Sequence, residues 1–514
     1  MNGAESLVAA LADGGVEVCF ANPGTSEMHF LAALENPRIK SVLCLFEGVC
    51  TGAADGWHRM RDKPAATLLH LGPGLANGLA NIHNARRASS GMVNIVGEHA
   101  THHLKYDAPL TSDIAGLARP LSHWVRQTDS AKSISADATA AIAQASSKPG
   151  RIATLILPGN FSWGDAGAPV KNELVVQPSL KVDHERILHV ANVLRKGEPT
   201  LIILGGKSPR GKALTLAGKI AAKSGCWLAT QFFEARIERG AGRVPLERIP
   251  YAVAQAQAFL KPFKHIITVE TGEPIAFFSY PDKPSLLKSS DCQVHRLIEK
   301  DEDAVEGLEM LVDAIGALSV DPFLQPLQER LIPDGPLTPA SIAAALSAAM
   351  PENCILVDES LTTGRETMGL TAGALPHDTI QNMGGSIGYG TPVATGAALA
   401  CPDRRTFCIV GDGSAMYTIQ SLWTQAREGL PVTTVVFANH SYQILKTEFA
   451  NMGFGAPGPQ ALGMIDIDRP RLDWVSMAKG MGVPGTRVES ANAFYRAMMR
   501  CSAEAGPSLI EVAL

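Results

Sequence analysis

The chain has 514 residues, 46% apolar and 18% charged, with 45 basic and 50 acidic side chains and a net charge of −5. That length holds about three domains, the composition is globular rather than disordered or collagen-like, and no Lys/Arg-rich run offers a nucleic-acid footprint. No apolar run reaches the ~18 residues of a membrane span. Nine scattered cysteines, without a C-x-x-C, argue against a disulfide framework or zinc site and for a reducing compartment, the cytoplasm.

The N-terminus reads as a capped amphipathic helix without a signal core. Short apolar strands are expected at 41–46, 65–70 and 93–96, and this first block runs to 165. Residues 166–183, with Pro169 and Pro178, read as a linker. A second block spans 184–325. Its strand Thr200–Leu204 runs into Gly205-Gly206 and then a helix from about Lys212, and His265–Val269 repeats the strand theme. Pro333, Pro336 and Pro339 mark a second boundary, and Thr338-Pro339 is a good helix opening. The third block, 338–514, carries strands at 354–357, 406–410, 433–438 and 508–512. Continuous apolar runs alternating with helices predict an α/β fold with doubly wound parallel sheets. Function in such sheets sits beyond the carboxyl ends of the strands.

Two of those ends stand out. The strand 406–410 runs into Gly411-Asp412-Gly413-Ser414, and 27 residues after Asp412 the next strand runs into Asn439-His440-Ser441-Tyr442. A carboxylate and a side-chain carbonyl are hard oxygen ligands suited to Mg²⁺. The glycines let backbone N–H groups approach a phosphate.

This pattern resembles the thiamine-diphosphate enzymes of the pyruvate oxidase, acetolactate synthase and benzoylformate decarboxylase type. Their signature is GDG followed by the second Asn of an Asn pair; here the first Asn is Ala438. The resemblance implies Asp412, Asn439 and the Ser441 carbonyl as Mg²⁺ ligands, with Gly411, Gly413, Ser414 and Tyr442 near the diphosphate. Asp358-Glu359-Ser360-Leu361-Thr362 resembles a segment whose hydroxyls reach the diphosphate, Thr362 being the favoured contact. The segment 382–390 resembles the loop in which the Gly385 carbonyl receives the cofactor's 4′-amino group and Ile387 wedges between its rings. Leu45-Phe46-Glu47-Gly48, followed by Ala53-Ala54-Asp55-Gly56-Trp57, resembles the family's glutamate segment, with Phe46 in place of a common His. It implies that Glu47 bonds N1′ of the aminopyrimidine, so that the cofactor acts as its own base.

For the substrate, Asn22-Pro23-Gly24-Thr25 and His70 resemble the benzoylformate decarboxylase pattern, with Thr in place of Ser. A hydroxyl at Thr25 can bind a carboxylate, and an imidazole at His70 can relay a proton. The second histidine of that pattern is Ser279 here, which opens the option of carboligation. His102 and His103 read as loop residues, and His440 as surface-facing. Phe277, Phe278, Ile444 and Leu445 are candidates for an apolar pocket. Gly205-Gly206-Lys207 lacks a full G-x-G-x-x-G. Some relatives carry FAD in the middle domain, but with no extension after the last strand this chain resembles the flavin-free type.

The resemblance implies three doubly wound α/β domains: pyrimidine-binding, central and diphosphate-binding. It also implies a homodimer or homotetramer with the active site at the subunit interface. The leading expectation is a thiamine-diphosphate- and Mg²⁺-dependent lyase that decarboxylates a small-molecule 2-oxo acid through a C2-carbanion/enamine. An acetolactate synthase-type carboligase is the alternative. A non-catalytic binding subunit is a reading of another class, against which intact Glu47, Asp412 and Asn439 argue.

Overall fold

The apolar runs form strands because they are buried on both faces. In TLIIL, Thr200–Leu204, every residue is buried, as in MVNIVGE at Met92–Glu98. The computed structural model describes residues 1–514. Three sheets are present. The first is six-stranded and parallel, in the order Lys40–Leu43, Val18–Ala21, Ala65–Leu69, Met92–Glu98, Ile152–Pro158, Trp124–Gln127. The second is five-stranded and parallel, in the order Glu247–Arg248, Trp227–Thr230, Thr200–Leu204, His265–Val269, Gln293–Ile298. The third has seven strands, in the order Gly485–Val488, Ser508–Ala513, Val432–Ala438, Thr406–Gly411, Cys354–Glu359, His377–Gln381, Ile237–Arg239.

The last of these strands is a departure from three self-contained blocks. Ile237–Arg239 leaves the middle segment and pairs antiparallel with His377–Gln381. The first strand is also shorter than expected: Phe46 is already the extended residue before the helix Glu47–Arg61. Thr338 does cap the helix Pro339–Ala349, accepting from the Ser341 amide at 3.1 Å. No helix is long and apolar enough to cross a membrane.

The outer two sheets share one core, a cluster of 43 buried residues drawn from both. They meet where the helix Glu47–Arg61 crosses the helix Gly390–Ala400. Small residues permit the crossing. A Cβ at Gly56 would strike the Val393 carbonyl, and one at Gly396 the Ala53 carbonyl. The middle sheet keeps a separate core around Ile202, Ile267 and Leu308.

Candidate active site

On the N-terminal side the strand Ala65–Leu69 ends at His70, which precedes the helix Leu71–Arg87. The His70 ring lies on the backbone of Gly24, where a Cβ would have no room. Glu27 is 1% exposed, and its Oε2 accepts from the Gly24 amide at 2.8 Å and meets His70 Nδ1 at 2.8 Å. Burial pushes the Glu27 carboxyl above its ordinary range, opposed by the hydrogen bond to His70. An ionised Glu27 can only accept, and in that form it would hold a proton on His70 Nδ1 and leave Nε2 unengaged. Thr25 opens the short 3-10 turn Thr25–Glu27 beside this pair and is exposed. The sequence reading missed Glu27; its signal was the acid two residues after Thr25. His103 packs against His99 and Tyr106, with ring centroids 5.5 and 5.8 Å apart. His102 and Ser279 are exposed.

Glu47 begins its helix and is 6% exposed. Its Oε2 accepts from Asn77 Nδ2 at 3.0 Å, and a Cβ at Gly74 would stand 2.8 Å from Oε1. Asn77, Asn81 and Asn84 lie on one face of the helix Leu71–Arg87. Asn81 donates to the carbonyls of Gly48 (2.9 Å) and Gly388 (3.2 Å). Asn84 donates to the Ser386 carbonyl at 2.9 Å and accepts from the Ser386 amide at 3.2 Å. This asparagine stripe, legible in A-N-G-L-A-N-I-H-N but not used, ties the glutamate's helix to the C-terminal loop.

That loop is held from its other side as well. Glu359, at the end of Cys354–Glu359, accepts from the amides of Gly388 (2.9 Å), Tyr389 (3.2 Å) and Gly390 (2.7 Å). Burial pushes Glu359 up to about 7, while those three amides pull it down. Asn382 Oδ1 accepts from the amides of Gly384 (3.1 Å) and Gly385 (2.9 Å). Gly385 takes φ +77, a left-handed conformation that favours glycine. It faces Phe277, 2.6 Å from where its Cβ would be. Ile387 and Thr362 are half-buried.

Asp412 follows the strand Thr406–Gly411 and is 1% exposed. Its Oδ1 accepts from the Gly413 amide at 2.8 Å and its Oδ2 from the His440 amide at 2.6 Å. It has no basic partner, and burial raises its carboxyl above the usual range. The strand Val432–Ala438 delivers Asn439, whose Oδ1 accepts from the Ser441 amide at 3.0 Å. His440 turns at φ +54 with its Nδ1 buried and unpartnered, so it is not the surface-facing residue expected from sequence. The Tyr442 ring covers Gly413, where a Cβ would strike it. Ser414 is buried beside them, and Gly411 is extended. A buried carboxylate without a cation, next to an amide oxygen and a free carbonyl, is a donor set that fits Mg²⁺. The Gly411-Asp412-Gly413-Ser414 turn leaves backbone close enough for a phosphate. Within one chain no hydrogen bond joins the Glu47 carboxylate to Asp412, Asn439 or Tyr442.

Family models for the N-terminal and the C-terminal TPP binding domains of thiamine pyrophosphate enzymes match residues 1–132 and 368–512. A Mycobacterium tuberculosis protein provisionally named an acetolactate synthase large subunit, IlvX, is 49% identical over 100% of this chain and 99% of its own. A benzoylformate decarboxylase of Pseudomonas aeruginosa is 27% identical over 97% of this chain and 96% of its own. Among solved structures, the thiamine diphosphate-dependent 4-hydroxybenzoylformate decarboxylase of Rhodococcus jostii RHA1 superposes with a TM-score of 0.84 at 24% identity, covering 100% of this chain and 99% of that one. The benzoylformate decarboxylase of Polynucleobacter necessarius gives 0.86 at 20% identity, with the same coverage. At those identities the superpositions speak for the fold.

Proposed function

The chain belongs to the thiamine pyrophosphate enzymes, and from that premise we propose that it decarboxylates a small 2-oxo acid with thiamine diphosphate and Mg²⁺. The observation that carries this reading is the Glu27–His70 pair, which rests on the Gly24 backbone beside the Thr25 hydroxyl. Bound thiamine diphosphate supplies the electron sink for carbon–carbon cleavage. Asp412, Asn439 and the Ser441 carbonyl would hold Mg²⁺, and Gly411, Gly413, Ser414, Thr362 and Tyr442 the diphosphate. Glu47 would hold the aminopyrimidine nitrogen. The Gly385 carbonyl would take the 4′-amino group, and Ile387 would support the rings. Thr25 donates a hydrogen bond to the substrate carboxylate. In its imidazolium form, with Nδ1–H held by Glu27, His70 would hand its Nε2 proton to the carbon that has lost carbon dioxide, leaving the neutral ring protonated on Nδ1.

The proposal extends to domains at 1–165, 184–325 and 338–514 and to a site shared between two copies of the chain. Leu45, Met416 and Tyr417, beside the N- and C-terminal motifs, are 47%, 38% and 52% exposed and would be covered by a second copy. All nine cysteines are free, which fits a reducing compartment. One observation favours a second reading, carboligation of the acetolactate synthase type: exposed Ser279 stands where the resemblance expects a second imidazole.

The test uses the cofactor-loaded protein with pyruvate, benzoylformate and branched 2-oxo acids, with products identified by mass spectrometry. An aldehyde establishes the decarboxylase; a 2-hydroxyketone or acetohydroxyacid moves the assignment to the ligase. Glu47→Gln should abolish turnover with a modest loss of cofactor affinity, and near-normal turnover would sink the site.

A further inference from the structure

The middle sheet has the strand order of a mononucleotide-binding half. In chain order its strands lie 3-2-1-4-5, so the topological switch point falls between Thr200–Leu204 and His265–Val269. The first of these strands ends in Gly205-Gly206-Lys207-Ser208, with Gly206 at φ +59. Its amides form the concave nest on which a nucleotide phosphate would rest. Beside it opens a cavity of about 710 Å³, lined by residues of all three sheets' domains including Arg59, Lys207, Glu270 and Gly384. Room for a nucleotide therefore exists.

The nest is filled from within. Glu270, the first residue after His265–Val269, is 2% exposed. Its Oε2 accepts from the amides of Lys207 (2.8 Å) and Ser208 (2.9 Å), where a phosphate oxygen would sit. Its Oε1 pairs with Lys148 Nζ of the N-terminal domain at 3.0 Å. Glu270 itself adopts φ +54, a left-handed conformation that a non-glycine residue keeps only when its surroundings enforce it. The Gly206 turn closes directly on it, since a Cβ at Gly206 would lie 3.0 Å from Glu270 Cβ. The nearest cations are also engaged: Lys207 and Arg210 both pair with Asp62, at 2.9 and 2.7 Å. A diphosphate entering here would lose both amides and face a buried like charge.

We infer that Glu270 is an internal plug of the middle domain's phosphate nest, so that this chain excludes FAD, ADP and other diphosphate-bearing nucleotides from a crevice large enough to hold them. The carboxylate replaces the phosphate and, through Lys148, fastens the middle domain to the N-terminal one. Arg86, Arg87 and Lys300 on the cavity wall form no ion pair, so attraction for an anion persists and the plug is what excludes it.

The experiment titrates ADP and FAD into protein saturated with thiamine diphosphate and Mg²⁺, which keeps the catalytic diphosphate site filled. Binding is read by calorimetry and equilibrium dialysis. Wild type and Glu270→Gln, whose amide still fills the nest, should show no saturable binding. Glu270→Gly accepts the left-handed conformation without strain and empties the nest, so it should gain at least about tenfold in ADP affinity, a change of about 1.4 kcal/mol. Glu270→Ala serves in its place if the glycine variant does not fold. Saturable binding of either nucleotide by the wild type overturns the plug. So does a folded, nest-emptied variant with no gain in affinity. Both readouts are independent of which reaction the active site performs.

Discussion

In the proposed reaction Glu27 would act on substrate only through His70, the imidazole that it holds. Its carboxylate reaches His70 across 43 residues of sequence, and the Gly24 amide fixes it in place. The charged carboxylate at Nδ1 can only accept, so it orients the imidazole and holds a proton on that nitrogen. Glu27→Gln keeps the side-chain shape and removes that charge. Turnover should fall by roughly 10- to 100-fold, at or below the ~10²–10⁴ contributed by a whole proton-transfer group, with thiamine diphosphate affinity unchanged. Unchanged turnover in a folded variant would reduce Glu27 to a packing role. Thr25 and His70 were singled out as candidates because each sits in a contiguous motif. Glu27 was not, because only the folded backbone brings the two strand ends together, although its capping position after Thr25 was visible.

At the scale of elements, the strand–helix alternation was readable because every core strand is a short apolar run, and the pairs Gly411–Ser414 and Asn439–Tyr442 stand at strand ends as expected. The crossing of Ile237–Arg239 into the C-terminal sheet was not readable, since a three-residue antiparallel edge leaves no periodicity to detect. Nor was the role of Glu359, which sequence placed only in a hydroxyl-bearing segment. Its carboxylate collects three amides at the start of the helix Gly390–Ala400, where the helix dipole also favours a negative charge. Glu359 thereby fixes the loop that presents Gly385 and Ile387. Glu359→Ala leaves three buried amides without that partner, at about 1–3 kcal/mol for an unmatched donor. Cofactor titration should show affinity reduced by roughly 10- to 100-fold, one or two factors of ten at about 1.4 kcal/mol each, while far-UV circular dichroism stays unchanged. Wild-type affinity in a folded variant would mean that the asparagine stripe alone positions the loop.

For the whole molecule, one buried cation joins what the three sheets keep apart. Arg59, 3% exposed on the N-terminal helix Glu47–Arg61, pairs with Asp55 through Nε at 2.8 Å and Nη2 at 2.7 Å. Its Nη1 donates to the Gln381 carbonyl of the C-terminal domain at 2.6 Å and to the Ala235 carbonyl of the middle segment at 3.2 Å. Lysine cannot reproduce this planar fork. Arg59→Met should cost roughly 3–5 kcal/mol, because it leaves Asp55 buried and uncompensated. The loss should appear as a lower urea midpoint and as faster proteolytic cleavage within 166–183. Arg59→Met combined with Asp55→Leu should recover much of that loss, since an apolar pair of similar volume removes the stranded charge. Recovery of stability without recovery of cofactor binding would separate the two roles of Arg59, charge balance and domain alignment. A single substitution as mild as an exposed one would show that the shared core around the crossing helices holds the domains in register unaided.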